Sequence, residues 1–321
     1  MSIAIGRLTL GAGRYPFRRQ VGFRARRASR QRGGRRFLVR RDDEVILDGW
    51  WSPAIEPGHE STTSTPAADR HLQADASPAS PADKLPVVIA HGLTETKERH
   101  FKRAWKLNAL GHDVVLFDHR DHGRSGGRGV TFGVQEKEDL RAVIDDAQRR
   151  GFIDTSRGVV TMGFSLGGGT VLQHAAVDPR VAGVVALAPF ADLRGAINSF
   201  RQKLTPWIRE EWLMSGFDVA TGEAGYTIDE ASAVEAFKRV EAPVLLVEGG
   251  RDPYLPGSEH VHRLAAARPC GQDGVSDGKP CVRLVRIAAA NHTSLVHRHW
   301  PKLDREIARF LREVGEAPRQ A

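Results

Sequence analysis

Short apolar runs alternate with amphipathic segments along most of the chain. The run at residues 85–91 is continuous, which is typical of a β-strand covered on both faces, and further predicted strands lie at residues 114–117, 159–162, 181–188, 244–247 and 282–287. Between them, predicted helices lie at residues 97–110, 135–150, 167–177, 258–267 and 303–314. This alternation predicts an α/β fold with a mostly parallel central sheet and helices on both of its faces.

Two segments depart from this alternation. Residues 37–52 predict two strands joined by an acidic turn. Residues 53–84 are rich in Pro, Ala, Ser, Thr and Asp, and we expect a flexible loop there because the sheet pattern resumes directly afterwards. The chain is therefore divided into a basic tail at 1–36, one domain at 37–315 and a short C-terminal tail at 316–321.

The excess of positive charge lies at the start of the chain. The formal net charge is +8, but residues 1–36 hold eleven arginines and no acidic residue, which leaves 36 basic and 39 acidic residues elsewhere. The predicted domain is thus slightly acidic, which argues against nucleic-acid binding by the domain itself. For residues 1–36 we expect a disordered extension that contacts nucleic acid or other anionic surfaces only loosely, with an organelle transit peptide as the alternative.

The apolar runs and the cysteines bear on cellular location and on metal binding. No run of eighteen or more apolar residues occurs, so we expect no transmembrane helix. We expect a cytoplasmic location, with an organellar or extracytoplasmic one as the alternative. The two cysteines, Cys270 and Cys281, are separated by ten residues. They form either a disulfide worth roughly 3 kcal/mol or two free thiols, and both interpretations remain open. No further ligand lies near them at zinc spacing, so we predict no metal site.

The most informative motif lies between a predicted strand and a predicted helix. Its sequence is Gly163-Phe164-Ser165-Leu166-Gly167. A serine on a sharp strand-to-helix turn presents its hydroxyl at the edge of the sheet, and the flanking glycines avoid clashes with neighbouring backbone. We therefore predict that Ser165 is a nucleophile, with an unreactive small residue in a tight turn as the alternative.

Two groups that could activate this serine follow predicted strands downstream. Asp252 comes after the strand at 244–247, and His292 comes after the strand at 282–287. An imidazole accepts the serine proton during attack, and a carboxylate on its other ring nitrogen fixes the tautomer. The order Ser, Asp, His is the one that hydrolases of this architecture require.

Neighbouring residues compete for the same two roles. Glu248 and Asp192 are alternatives for the acid, and His297 and His299 are alternatives for the base. We prefer Asp252 because it lies directly beyond the end of its strand, and His292 because the other two histidines lie deeper in the following helix.

The loop after the first long buried strand supplies the remaining part of the predicted site. Its sequence is His91-Gly92-Leu93. The backbone N–H of Leu93 and that of Leu166 could together form an oxyanion hole, since such donors do not depend on side-chain identity. We expect His91 to pack and hydrogen-bond behind this loop, whereas His119 and His122 anchor their own loop.

Together these motifs resemble the α/β-hydrolase fold superfamily of serine hydrolases. The resemblance covers residues 37–315 and rests on the motifs at 91–92, 118–125, 163–167, 249–252 and 291–292. Residues 188–193 resemble the branch of this superfamily that has a small helical cap, which implies a cap within 190–240. We expect Trp207, Trp212 and Phe217 to form the core of that cap.

The chain departs from the superfamily pattern in three places. Asp121 stands where the superfamily usually has a glycine, which casts doubt on the geometry of that loop. The loop at 53–84 replaces a tight hairpin, and the stretch from Asp252 to His292 is longer than usual.

The sequence therefore predicts a serine esterase that acts through an acyl-enzyme on a small-molecule acyl substrate. No cofactor is expected. Three alternatives remain: the same triad used on thioesters, amides or carbon–carbon bonds or for acyl transfer; a non-catalytic binding protein on the same fold; and a protein whose function lies in the basic tail.

Overall fold

An eight-stranded sheet forms the centre of the molecule, as the sequence predicts. A computed structural model of the chain describes residues 21–55, 84–268, 275–276, 279–280, 282–298 and 300–317. The strands are β1 (Arg35–Arg40), β2 (Ile46–Ser52), β3 (Val87–Ala90), β4 (Val114–Phe117), β5 (Val159–Phe164), β6 (Val181–Leu187), β7 (Val244–Gly249), β8 (Val275–Ser276), β9 (Lys279–Pro280) and β10 (Val282–Ile287). Strands β8 and β9 form a separate two-stranded sheet.

The order of the large sheet is β1-β2-β4-β3-β5-β6-β7-β10. Strands β1 and β2 form an antiparallel hairpin, and β2 is also antiparallel to β4. The other six strands of this sheet, β4, β3, β5, β6, β7 and β10, run parallel to one another. Because the carboxyl ends of parallel strands meet at one edge, the loops after β3, β5, β7 and β10 are brought together there.

Helices cover both faces of this sheet. They are α1 (Val21–Gln31), α2 (Phe101–Ala109), α3 (Glu136–Arg149), α4 (Leu166–Ala175), α5 (Leu193–Leu204), α6 (Glu210–Glu223), α7 (Ala233–Phe237), α8 (Val261–Ala267), α9 (His292–His297) and α10 (Pro301–Glu316). Short 3₁₀ turns at Lys97–His100 and Ile228–Glu230 complete the set.

Strand β3 shows why the apolar runs are continuous rather than alternating. Val88 and Ala90 belong to the core on one face of the sheet, together with α3 and α4. Val87 and Ile89 belong to the core on the other face, together with α2 and α10. All four side chains are buried, since successive residues of a strand point to opposite faces.

The prediction of a disordered tail at residues 1–36 is wrong for residues 21–36, the part of that segment that the structure describes. Residues 21–36 were expected to lie in a disordered tail, but Val21–Gln31 is helical and β1 begins at Arg35. The Oγ atom of Ser29 accepts a hydrogen bond of 2.8 Å from the Trp50 indole, and Arg26 pairs with Glu98 at 2.7 Å. The sequence pattern shows only the arginines of this segment, whereas these two contacts hold it against the domain.

The predicted cap region contains α5, α6 and α7. Phe217 is buried, as expected for the cap core. The prediction was wrong for Trp207 and Trp212, whose exposed fractions are 77% and 60%. Helical spacing does not reveal which side of a small subdomain faces solvent, and the core of the cap also takes in Leu213 and Ile228.

Two predictions fall on residues outside the described ranges. They are the flexible loop at 53–84, apart from its first three residues and its last one, and the pairing of Cys270 with Cys281. Of the helices that the structure does describe, none combines the length and the apolar character that crossing a membrane requires.

Candidate active site

Ser165 occupies a strained turn between β5 and α4. Its backbone angles are φ 53° and ψ −111°, a conformation that residues with a side chain rarely adopt. A Cβ atom on Gly163 would lie 2.1 Å from the Gly167 carbonyl oxygen, and one on Gly167 would lie 2.2 Å from the Ala90 carbonyl oxygen. Both glycines are therefore required by close backbone contacts, which explains the spacing of the motif.

Three predicted side chains meet at this turn. The Nε2 atom of His292 lies 3.0 Å from Ser165 Oγ, and the Nδ1 atom lies 2.6 Å from Asp252 Oδ2. All three residues are about 8% exposed, so the chain of hydrogen bonds is largely shielded from water while the serine stays accessible. The structure thus brings together Ser165, His292 and Asp252, which follow three different strands of the sheet.

The hydrogen bonds of Asp252 determine how the imidazole is used. Its other carboxylate oxygen, Oδ1, accepts the backbone N–H groups of Tyr254 at 2.9 Å and Leu255 at 3.0 Å. Because a carboxylate only accepts, Nδ1 of His292 carries the ring proton. The Nε2 atom is then free to accept the Ser165 hydroxyl proton.

The two alternative residues for the acid, Glu248 and Asp192, interact with other side chains. Glu248 contacts His262 at 3.1 Å and Arg286 at 3.6 Å. Asp192 caps α5 by accepting the Gly195 N–H, and it pairs with Arg263 at 2.6 Å.

The competing bases do not reach the serine in the described structure. His297 bonds to Glu95, not to Ser165. His299 lies outside the described residues.

Two histidines hold the loop after β3 in place. His91 accepts the His119 N–H on Nε2 at 3.0 Å and donates from Nδ1 to the Gly92 carbonyl oxygen at 2.8 Å. His122 accepts the N–H of Thr94 at 3.3 Å, and Thr94 has a positive φ of 64°. His122 therefore anchors the neighbouring loop and not only its own, a contact that no sequence pattern reveals.

This loop lies directly beside the serine turn. In the sheet register, Ala90 at the end of β3 pairs with Gly163 near the end of β5. In the described part of the chain, no backbone carbonyl accepts a hydrogen bond from the N–H of Leu93 or of Leu166. The two loops thus carry amides without a backbone partner at the edge where the Ser165 hydroxyl lies.

Burial keeps the histidines behind this loop uncharged. Removal from water lowers the pKa of His91 and of His119 well below the usual value, and it also lowers the pKa of His122. Neither ring nitrogen of His119 has a hydrogen-bond partner among the described residues, so His119 packs rather than anchors. Its ring lies 4.7 Å from that of His91. The loop is supported by neutral, fixed rings.

Asp121 keeps the geometry that a glycine usually provides at this position. Its φ is 57°, in the left-handed region. Aspartate is one of the few residues with a side chain that is found there repeatedly. Its N–H donates to the Gly126 carbonyl oxygen at 2.7 Å, which closes the loop. The departure from the superfamily pattern is therefore accommodated without a change of fold.

Aromatic rings surround the imidazole. The Phe164 and Tyr254 rings lie 4.9 Å and 5.9 Å from that of His292. Phe200 on α5 stacks on Tyr254 at 5.3 Å, which places a helix of the predicted cap region beside His292. These rings provide apolar surface next to Ser165.

Among the residues that the structure describes, no group of three His, Cys, Asp or Glu residues is arranged to hold a metal ion.

Comparison with known proteins supports this architecture. The family model described as "Serine aminopeptidase, S33" matches residues 81–220. An uncharacterized protein of Bacillus subtilis is 28% identical over 182 residues, which are 54% of this chain and 56% of that protein. A monoacylglycerol lipase of Mycolicibacterium smegmatis is 35% identical over 95 residues, which are 29% of this chain and 33% of the lipase. The matched segments thus span little more than half of the first relative and a third of the second.

A solved structure shares the fold over nearly the whole chain. It is an esterase of Pyrococcus furiosus, which superimposes with a TM-score of 0.61 at 20% identity. The superposition covers 87% of this chain and 91% of the esterase.

Proposed function

We propose that this chain is a hydrolase of the α/β-hydrolase superfamily and that it cleaves carboxylic esters through a serine-bound acyl intermediate. The observation that carries the proposal is the continuous hydrogen-bonded chain from Ser165 through His292 to Asp252, with links of 3.0 and 2.6 Å. A serine hydroxyl is a poor nucleophile near neutral pH, and this arrangement supplies the base that activates it.

In the first half of the proposed reaction, Ser165 Oγ attacks the ester carbonyl carbon while its proton passes to His292 Nε2. The carbonyl oxygen becomes an oxyanion, which the amides of Leu93 and Leu166 stabilise. The tetrahedral intermediate then collapses as His292 gives the proton to the leaving alcohol. An acyl group remains bonded to Ser165.

In the second half, water takes the place of the alcohol. His292 removes a proton from water as the oxygen attacks the acyl carbon, and it returns that proton to Ser165 Oγ when the acid leaves. Asp252 remains ionised throughout and stabilises the imidazolium that forms in each half. Every step uses side chains and backbone amides of this chain, and the products are a carboxylic acid and an alcohol.

The names of similar proteins favour esters as the substrate class. The esterase of Pyrococcus furiosus and the mycobacterial monoacylglycerol lipase are both named for ester cleavage. The family model is described as a serine aminopeptidase, which favours amide bonds as the second candidate. The same three groups serve both reactions, since both proceed through an acyl-enzyme.

A substrate series distinguishes the two candidates. Purified protein is assayed with p-nitrophenyl esters of increasing acyl length and with aminoacyl p-nitroanilides. We expect kcat/KM for the best ester to exceed that for the best anilide, and we expect Ser165→Ala to abolish both activities. Faster cleavage of the anilides would replace the ester proposal with the amide one.

The same assay also tests a purely binding role. A folded protein that turns over none of these substrates and does not react with a fluorophosphonate probe would be a binding module on this fold.

A further inference from the structure

Glu95 is a buried carboxylate that no step of the proposed reaction uses. It lies in the loop after β3, and its exposed fraction is 7%. Its Oε2 atom accepts the Gly92 N–H at 3.0 Å and is 3.0 Å from His100 Nε2. Its Oε1 atom is 2.5 Å from His297 Nε2. A single carboxylate therefore holds three polar groups from separate segments.

Two of those segments carry parts of the proposed site. Gly92 precedes Leu93, whose amide we assign to the oxyanion hole. His297 is the last residue of α9, and His292 is the first residue of the same helix. Since a six-residue helix is one rigid unit, fixing His297 also fixes the position of the His292 backbone.

The surroundings keep this carboxylate charged. Burial by itself would raise the pKa of Glu95, but hydrogen bonds from His100 and His297 outweigh that effect and hold the pKa well below its usual value. Arg99 adds a contact of 3.8 Å. An ionised carboxylate accepts hydrogen bonds about twice as strong as those accepted by a neutral group, so the contacts are suited to fixing positions.

We propose that Glu95 is a positioning residue that ties the oxyanion loop to the helix carrying His292. It sets the distance between the amides that stabilise the oxyanion and the imidazole that moves the proton. This role rests on the proposed function, because it concerns the geometry of that site. A displacement of about 1 Å at a reacting group costs up to about 100-fold in rate, so the contact governs turnover more than substrate binding.

The first kinetic test replaces Glu95 and compares the variant with a control at an exposed acid. Glu95→Gln keeps the size of the side chain but cannot accept from Gly92, His100 and His297 together. We expect kcat to fall at least tenfold and KM to change less than threefold. Glu235→Gln, at an exposed acid that pairs with Lys238, is the control and should match the parent. A folded Glu95→Gln protein with kcat within twofold of the parent would overturn the proposal.

The second variant pair protects the test against a folding defect at Glu95. The side chain of His297 is 24% exposed, so its replacement is tolerated more easily. His297→Ala removes the donor and should lower kcat at least tenfold. His297→Gln retains an N–H donor and should recover most of that loss. Equal losses in the two variants would contradict the proposal, because a role in packing alone does not depend on the donor.

Hydrogen exchange tests the tie without turnover. In His297→Ala, amide exchange should increase in residues 92–100 as well as in residues 292–297. An increase confined to 292–297 would show that the two segments are independent and would overturn the inference. If the parent lacked esterase activity, the proposed function would fail, while the exchange result would still decide whether Glu95 connects loop and helix.

Discussion

Gly167 and Ala90 lie so close together that a Cβ atom on the glycine would be 2.2 Å from the alanine carbonyl oxygen. This contact presses the start of α4 against the end of β3. It places the turn that carries Ser165 directly beside the loop that carries Leu93. The predicted nucleophile and one of its predicted oxyanion donors are thus positioned by a backbone contact that only glycine permits.

Gly167→Ala should therefore destabilise the protein. The methyl group cannot fit unless the backbone of Ala90 moves, and overpacking of this kind costs about 1–3 kcal/mol in the free energy of unfolding. Urea denaturation measures the change. The control is Gly222→Ala on α6, where a Cβ atom would meet nothing within 4 Å. That variant should be as stable as the parent or up to about 1 kcal/mol more stable. Equal stability of both variants would contradict the account.

Asp252→Asn should lower kcat by about 10⁴-fold, as the corresponding change does in a serine protease. An amide presents an N–H group to His292 Nδ1, which favours the tautomer that cannot accept the Ser165 proton. Asp192→Asn is the matched control, since asparagine also caps a helix well. It should keep kcat within a fewfold of the parent. A large loss of kcat with Asp192→Asn and none with Asp252→Asn would show that Asp252 is not the acid that orients His292.

Asp121→Asn should be more stable than Asp121→Val. The left-handed φ of 57° is found repeatedly in asparagine, and asparagine also keeps the size of the side chain. Asp121→Val should cost at least about 1–2 kcal/mol, because a β-branched residue strongly disfavours this conformation. Thermal and urea denaturation compare the two, and equal stability would contradict the strained-loop geometry.

Stability should decrease as the pH falls from about 7 to about 4. Burial lowers the pKa of His112 from 6.5 to about 4, although its hydrogen bond to the Leu85 carbonyl oxygen opposes the shift. The unfolded chain therefore takes up a proton that the folded chain resists. The stabilisation is complete above the unfolded pKa of 6.5 and is lost as the pH falls towards the folded value. Burial also lowers the pKa of His174 and of His260 to about 4.

His112→Gln isolates one of these contributions. Urea denaturation at pH 7 and pH 5 gives the loss of unfolding free energy between the two values. The loss should be smaller in the variant than in the parent, by about 2 kcal/mol for one histidine with this shift. An unchanged difference would show that His112 is not the group that resists protonation.

The sequence was sufficient to predict the sheet, because buried parallel strands have an unmistakable pattern. It also placed Ser165, Asp252 and His292 beyond the ends of three such strands, and strands of one parallel sheet bring those ends to one edge. These predictions needed no knowledge of side-chain packing, because the parallel pairing of the strands already determines that the residues after them lie at one edge of the sheet.

Other features could not be predicted because they depend on contacts between distant segments. Glu95 is one charged residue among many, and only the folded chain shows that it reaches His297. Trp207 has a large apolar side chain of the kind found in cores, yet it lies on the solvent-exposed side of the cap. The helix at Val21–Gln31 is held by Ser29 and Arg26 against residues far along the chain, and no local pattern encodes those contacts.

Mapping a covalent adduct tests the central claim most directly. The parent protein and a Ser165→Ala variant of equal thermal stability are treated with a fluorophosphonate probe, digested and analysed by mass spectrometry. We predict a single modified peptide in the parent, with the adduct on Ser165, and no modification in the variant. An unlabelled parent, or an adduct on another residue that persists in the variant, would contradict the assignment of Ser165 as the nucleophile.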